Sequence, residues 1–135
     1  MEERKSGAKL QTDVKHNKAR SQAQELSVAK EYKANGFEEA RRVPMSGAIA
    51  TLPADVSLGE LMLVECKMTK SGKMIFDWEW LRQVKTQAER EMKEGVVHAW
   101  IGQVTGPYEK VVVVPEEFWY TILNELMGYR REAGQ

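Results

Sequence analysis

Apolar positions are arranged along the chain in three different ways, and each predicts a different element. Between residues 17 and 35, Ala23, Leu26, Ala29 and Tyr32 recur at a spacing that gathers side chains on one face of an α-helix. Gly36 follows, where a helix ending in a left-handed residue favours glycine. Residues 37–43 read as a strand, closed by the turn chemistry of Pro44-Met45-Ser46-Gly47, and the small residues of 46–51 suit a flexible connection. Residues 55–58 and 61–67 flank Gly59-Glu60, which predicts two antiparallel strands joined by a short hairpin loop. The second strand is almost continuously apolar before Glu65, so it should be buried on both faces as a central strand is.

After a turn at residues 69–73, Met74-Ile75-Phe76 suggests a short extended piece. Asp77 can then cap a helix running to about Lys93, with Trp80, Leu81, Val84, Ala88 and Met92 on its apolar stripe and Gly95 ending it. Residues 96–104 and 108–114 read as strands around Gly106-Pro107. Pro115 opens a last helix, with Glu116 and Glu117 in its first turn and Arg130 and Arg131 near its end, charges that suit the helix dipole. The order of elements predicts an α/β fold: a central mixed five-stranded sheet flanked by helices. One domain over residues 17–131 is expected, preceded by a flexible basic arm (1–16) and followed by a short tail (132–135).

Composition narrows the setting. A chain of 135 residues fits a single domain with a real core. It is 42 % hydrophobic but holds no apolar run of the ~18 residues needed to cross a bilayer. The single Cys66 has no internal disulfide partner, and no secretory leader opens the sequence. An intracellular, reducing location is therefore expected, without a membrane partner.

The formal net charge is zero, which on average argues against a nucleic-acid ligand. The average conceals an asymmetry. Between Arg4 and Arg20, the six basic residues Arg4, Lys5, Lys9, Lys15, Lys18 and Arg20 face one acid, Asp13, and Arg41-Arg42 and Lys67, Lys70, Lys73 form further basic groups. Such groups could line a phosphate-binding groove, or simply form a solvated surface. Trp78, Trp80, Trp100 and Trp119 read as core or interface anchors rather than base-stacking platforms.

The chemistry is concentrated in Pro53-Ala54-Asp55 and Glu65-Cys66-Lys67. Strand side chains alternate, so Glu65 and Lys67 share a face and Cys66 points to the other. If the loop is Gly59-Glu60-Leu61, position 58 pairs with 62 and 55 with 65. Asp55 and Glu65 then become cross-strand neighbours, with Cβ atoms about 4.5–5.5 Å apart. Two carboxylates that close repel unless a proton or cation lies between them. Oxygen-only ligands select a hard cation, Mg²⁺ or Mn²⁺. Neither His16 nor His98 is placed to join. A metal so held could activate water against a phosphodiester, with Lys67 orienting that water or offsetting phosphate charge. Glu25 borders the buried stripe of the first helix and could reach the same point, and Gln87 could support Lys67 or the phosphate from the second long helix. The alternative readings are an ordinary Asp55–Lys67 ion pair at a sheet edge and a solvated helix acid at Glu25.

The helix carrying Glu25, Gly36-Phe37, the basic strand with Arg41 and Arg42, the Pro44-Met45-Ser46-Gly47 loop, Asp55 and Glu65-Cys66-Lys67 together resemble the Hjc-type Holliday junction resolvases of archaea and phages. These belong to the PD-(D/E)XK nuclease superfamily, and the resemblance covers about residues 20–102. It implies a restriction-endonuclease-like fold, an active site at Glu25, Asp55, Glu65 and Lys67 with metal held by the three acids, and DNA contacts from Arg41, Arg42 and Ser46, to which the basic groups add Arg20, Lys70 and Lys73. It further implies Mg²⁺, with Mn²⁺ able to substitute, a homodimer, and a four-way DNA junction as substrate, in a prokaryotic cell or phage-infected host. The chain departs from the archaeal pattern in a shorter spacing between Asp55 and Glu65 and a longer basic arm. Its Trp-rich second helix is closer to phage members. The motif is shared with nucleases acting on flapped, nicked or linear DNA, and a non-catalytic DNA-binding module of the same fold is a third alternative. The Trp-bearing helix and the last helix, with Phe118, Trp119, Ile122, Leu126 and Met127, are both candidate dimer surfaces.

Overall fold

The computed structural model describes residues 21–43, 54–103 and 106–134. The expected arm at 1–16 and the loop containing Ser46 lie outside them, as does Arg20. Helix α1 occupies residues 21–34, followed by β1 (Ala40–Arg42), β2 (Val56–Leu58), β3 (Met62–Thr69), α2 (Trp78–Arg90), β4 (Glu94–Ile101), β5 (Glu109–Val113) and α3 (Glu116–Glu132). The strands form one sheet in the order β1-β2-β3-β4-β5, antiparallel except for the β3–β4 pair. A parallel pair needs a crossover, and α2 supplies it. The architecture is α/β with a mixed five-stranded sheet, and the nearly unbroken apolar run of β3 lies at its centre. No helix among the described residues is long and apolar enough to cross a membrane.

Alternation along β3 divides the core into two layers. Val64 and Cys66 point to one face and pack with Val28 and Ala29 of α1, Val56, Leu58, Val96 and Trp100. Leu63 points to the other and packs with Leu81, Val84 and Ala88 of α2, Val97 and Ala54. A helix therefore covers each face near the middle of the sheet, and each β3 side chain meets the layer that its parity dictates.

Local chemistry fixes the ends. At the end of α1, Gly36 has φ +100°, the Phe37 N–H donates to the Tyr32 carbonyl (3.0 Å) and the Gly36 N–H to that of Lys33 (3.1 Å). The Phe37 and Tyr32 rings meet edge to face, completing a Schellman cap. Asp77 caps α2, its carboxylate accepting from the Glu79 N–H at 2.9 Å.

Three details differ from the sequence expectation. The face α1 buries runs through Gln24, Val28 and Ala29, whereas Ala23 and Leu26 are exposed, so the stripe is rotated by about a residue. Residues 74–76 form no strand. Helix α2 stops at Arg90 and turns through Met92 at φ +59°, which leaves Met92 exposed beyond the stripe. Gly95 instead lies inside β4, where a Cβ would sit 2.8 Å from the Val84 carbonyl oxygen and 2.9 Å from Lys85 Cα. Its role is to let β4 approach α2.

Candidate active site

The β2–β3 hairpin has Leu58 opposite Met62, Ser57 opposite Leu63 and Val56 opposite Val64. Regular pairing stops there. Asp55 still donates its N–H to the Val64 carbonyl (2.9 Å), and its Oδ2 accepts from the Cys66 N–H at 2.8 Å. The aspartate side chain thus takes a backbone donor just beyond the ladder, and this holds its carboxylate against Glu65.

Three acids from three elements meet at this point. Asp55 lies close enough to Glu25 of α1 and to Glu65 of β3 that the carboxyls alter one another's ionisation. Burial pushes Asp55 up to about 7, and the Glu65 charge adds to the rise, against the bond from Cys66. Burial likewise pushes Glu25 up to about 7, opposed by its bond from Arg42 and reinforced by Asp55. Glu65 is raised by burial, opposed by its interactions with Asp55 and with the Lys67 ammonium. A cluster of carboxylates that resist ionisation is the electrostatic signature of a site awaiting protons or a cation.

Two cations flank the acids. Arg42 Nε donates to Glu25 Oε2 at 2.7 Å, and Lys67 Nζ lies 3.3 Å from Glu65 Oε1. Lys67 Nζ also stands 5.0 Å from the centre of the Trp80 ring, whose face favours a cation. Among the described residues, no group of three or more His, Cys, Asp and Glu side chains is arranged to hold a metal ion. Asp55 and Glu65 remain as an oxygen pair. Mg²⁺ commonly needs only one or two carboxylates and keeps several waters, so the donor chemistry fits that ion.

Two glutamines brace the cluster. Gln24 is 2 % exposed, and its Nε2 donates to the Lys67 carbonyl at 2.7 Å, tying α1 to the end of β3 that carries the site. Gln87 makes no hydrogen bond to Lys67. Its Oε1 accepts from the Ala54 N–H at 3.1 Å and its Nε2 donates to Glu91 at 3.2 Å, so it steadies the residue before Asp55. Sequence reading missed Gln24 because a polar side chain on a helix is ordinarily assigned to solvent. The available signal was its position four residues before Val28, on the buried face.

The remaining sequence candidates are spread more widely. Arg41 is exposed on β1, and Lys70 and Lys73 are exposed after β3. Arg42 is committed to Glu25. His98 lies on the α1 side of the sheet, hydrogen-bonded through Nδ1 to the Tyr32 hydroxyl at 3.2 Å and lowered by burial, away from the acids.

No protein-family model matches the chain, and no curated protein matches it. Among solved structures it is similar to Hjc, a Holliday junction resolvase from the archaeal hyperthermophile Archaeoglobus fulgidus, at 17 % identity over 61 % of this chain and 83 % of that one, with a TM-score of 0.40. A superposition this loose supports no inference about function, which has to come from the side chains themselves.

Proposed function

We propose that the chain is a divalent-metal-dependent endonuclease that cuts phosphodiester bonds in branched DNA, four-way junctions foremost, acting as a homodimer. The observation that carries this reading is the meeting of Glu25, Asp55 and Glu65 from three separate elements with Lys67 beside them. A merely structural ion pair explains one acid and one amine. It does not explain three half-buried or buried carboxylates whose charges oppose one another.

Asp55 and Glu65 would hold Mg²⁺, or Mn²⁺ in its place, with Glu25 completing the set once released from Arg42. The ion would supply Lewis-acid stabilisation of phosphate charge and a bound water of lowered pKa. Asp55 is fixed for this role by the Cys66 N–H. Lys67, held between Glu65 and the face of Trp80, can orient the attacking water or neutralise a non-bridging phosphate oxygen. Arg42 would exchange its bond to Glu25 for a backbone phosphate. Arg41, Lys70 and Lys73, with Arg20 and Ser46 outside the described residues, would contact further phosphates, reading the shape of the duplex arms with little base recognition. Two copies related by a two-fold axis would present two such centres to opposite strands, which paired cleavage requires.

Incubation of the purified chain with a labelled four-way junction, a matched duplex, a flap and a single strand, with Mg²⁺ and with chelator, tests the reading. Symmetric Mg²⁺-dependent nicks near the branch point are expected. Equal cutting of all substrates would replace junction resolution by a less selective nuclease, and binding without cutting would leave a DNA-binding module.

A further inference from the structure

Helix α3 is 17 residues long and none of them is buried. Phe118 packs toward the α1 layer of the core in its first turn. Farther along, Trp119, Leu126 and Met127 are each about half exposed, an unusual concentration of large apolar groups on one helix. At 100° per residue, Trp119, Leu123, Leu126 and Arg130 fall within a narrow arc and follow one another at intervals of four, three and four, the spacing of a helix-pairing seam. Glu116 stands beside the start of this seam and Arg130 at its end.

We infer that α3 pairs with α3 of a second copy of this chain, antiparallel about a two-fold axis near Asn124 and Glu125. Charge decides both partner and direction. Antiparallel pairing sets Glu116 against the Arg130 end of the other copy, lays Trp119 against that arginine, packs Leu123 on Leu126 and opposes the helix dipoles. Parallel pairing would place Glu116 on Glu116 and Arg130 on Arg130. The seam is complementary to itself only when reversed, which is the condition for an isologous dimer. This inference concerns assembly and holds whether or not the chain cleaves DNA. It chooses α3 over α2, whose buried face, Leu81, Val84 and Ala88, is already covered by the sheet.

Molar mass by light scattering, with the full chain at about 1 to 100 µM, spans the range for a contact as small as one helix pair. The wild type should reach a dimer, and Leu126→Glu should weaken dimerisation at least a hundredfold while leaving the far-ultraviolet circular dichroism spectrum of the folded chain unchanged, because Leu126 supports no core contact. Direction is read with a short bismaleimide. Antiparallel pairing separates the two copies of position 116 by about 25 Å, so Glu116→Cys alone and Arg130→Cys alone should not cross-link, whereas a 1:1 mixture of the two variants should. A wild type that stays monomeric overturns the proposal. So does a dimer indifferent to Leu126→Glu, or cross-linking of the single variants without the mixture.

Discussion

The backbone N–H of Cys66 donates to Oδ2 of Asp55 at 2.8 Å, just past the last regular pair of the β2–β3 hairpin. This contact joins fold to chemistry. The ladder ends at Val56 and Val64, which leaves a donor on β3 without a strand partner, and the aspartate that fills the gap is thereby aimed at Glu65.

The raised carboxyls set a pH dependence. Asp55 and Glu25 move from ordinary values of 3.8 and 4.5 to about 7 in the folded chain. Between about pH 4 and 7 the folded state therefore keeps protons that the unfolded chain has released. The stability linked to these groups is full below pH 4 and is lost as pH rises through 7. A divalent cation binds the ionised form, so its stabilising effect should grow in the opposite direction. Thermal melts in chelator should show the cluster's contribution declining from pH 5 to 8, and Mg²⁺ should raise the melting temperature at pH 8 but not at pH 5. Asp55→Asn, which keeps an oxygen for the Cys66 N–H and removes a charge, should gain on the order of 1 kcal/mol at pH 8 in chelator and lose the Mg²⁺ response. A wild-type melt at pH 8 that ignores Mg²⁺ would count against the metal.

Gln24 is a positioning residue. Gln24→Leu removes the donor to the Lys67 carbonyl while keeping the volume, and should cost about 1–2 kcal/mol in denaturant unfolding. Because Lys67 would lose a fixed backbone, single-turnover cleavage should slow about tenfold with junction affinity unchanged. Equal loss of affinity and rate would make Gln24 a general fold residue only.

Gly95→Ala should destabilise by about 2 kcal/mol, since its Cβ would meet the backbone of Val84 and Lys85 below 3.0 Å and neither strand nor helix can yield cheaply. Urea unfolding gives the value. An unchanged midpoint would show that β4 and α2 are less closely apposed.

Met92→Gly should act in the other direction. A methionine at φ +59° with its side chain in solvent carries strain and no packing. Glycine should stabilise the chain by roughly 0.5–1 kcal/mol, the strain relieved exceeding the added freedom of the unfolded chain.

Those last two residues show where sequence reading succeeds and where it fails. Hairpin register, the central place of β3 and the Asp77 cap were all legible, because each follows from a local rule about spacing, alternation or side-chain capping. The end of α2 was not. Glycine is the favoured terminator, so Gly95 drew that role, yet tertiary packing had claimed it and Met92 adopted the left-handed turn. The buried face of α1 was misread for a related reason. Gln24 and Gln87 are polar residues whose partners, the Lys67 carbonyl and the Ala54 N–H, are 43 and 33 positions away. No periodicity reports such a bond. The acids were accessible as a pattern, whereas their distribution between metal-binding geometry and the ion pairs with Arg42 and Lys67 is a property of three dimensions.

Cleavage of a labelled four-way junction by the wild type and by Asp55→Asn, each with Mg²⁺ and with chelator, tests the central claim most directly. The wild type should cut only with Mg²⁺, and Asp55→Asn should bind the junction with unchanged affinity while cutting at least a thousandfold more slowly. Cutting by Asp55→Asn at the wild-type rate, or cutting by the wild type in chelator, would contradict a metal-dependent centre at Asp55, Glu65 and Lys67.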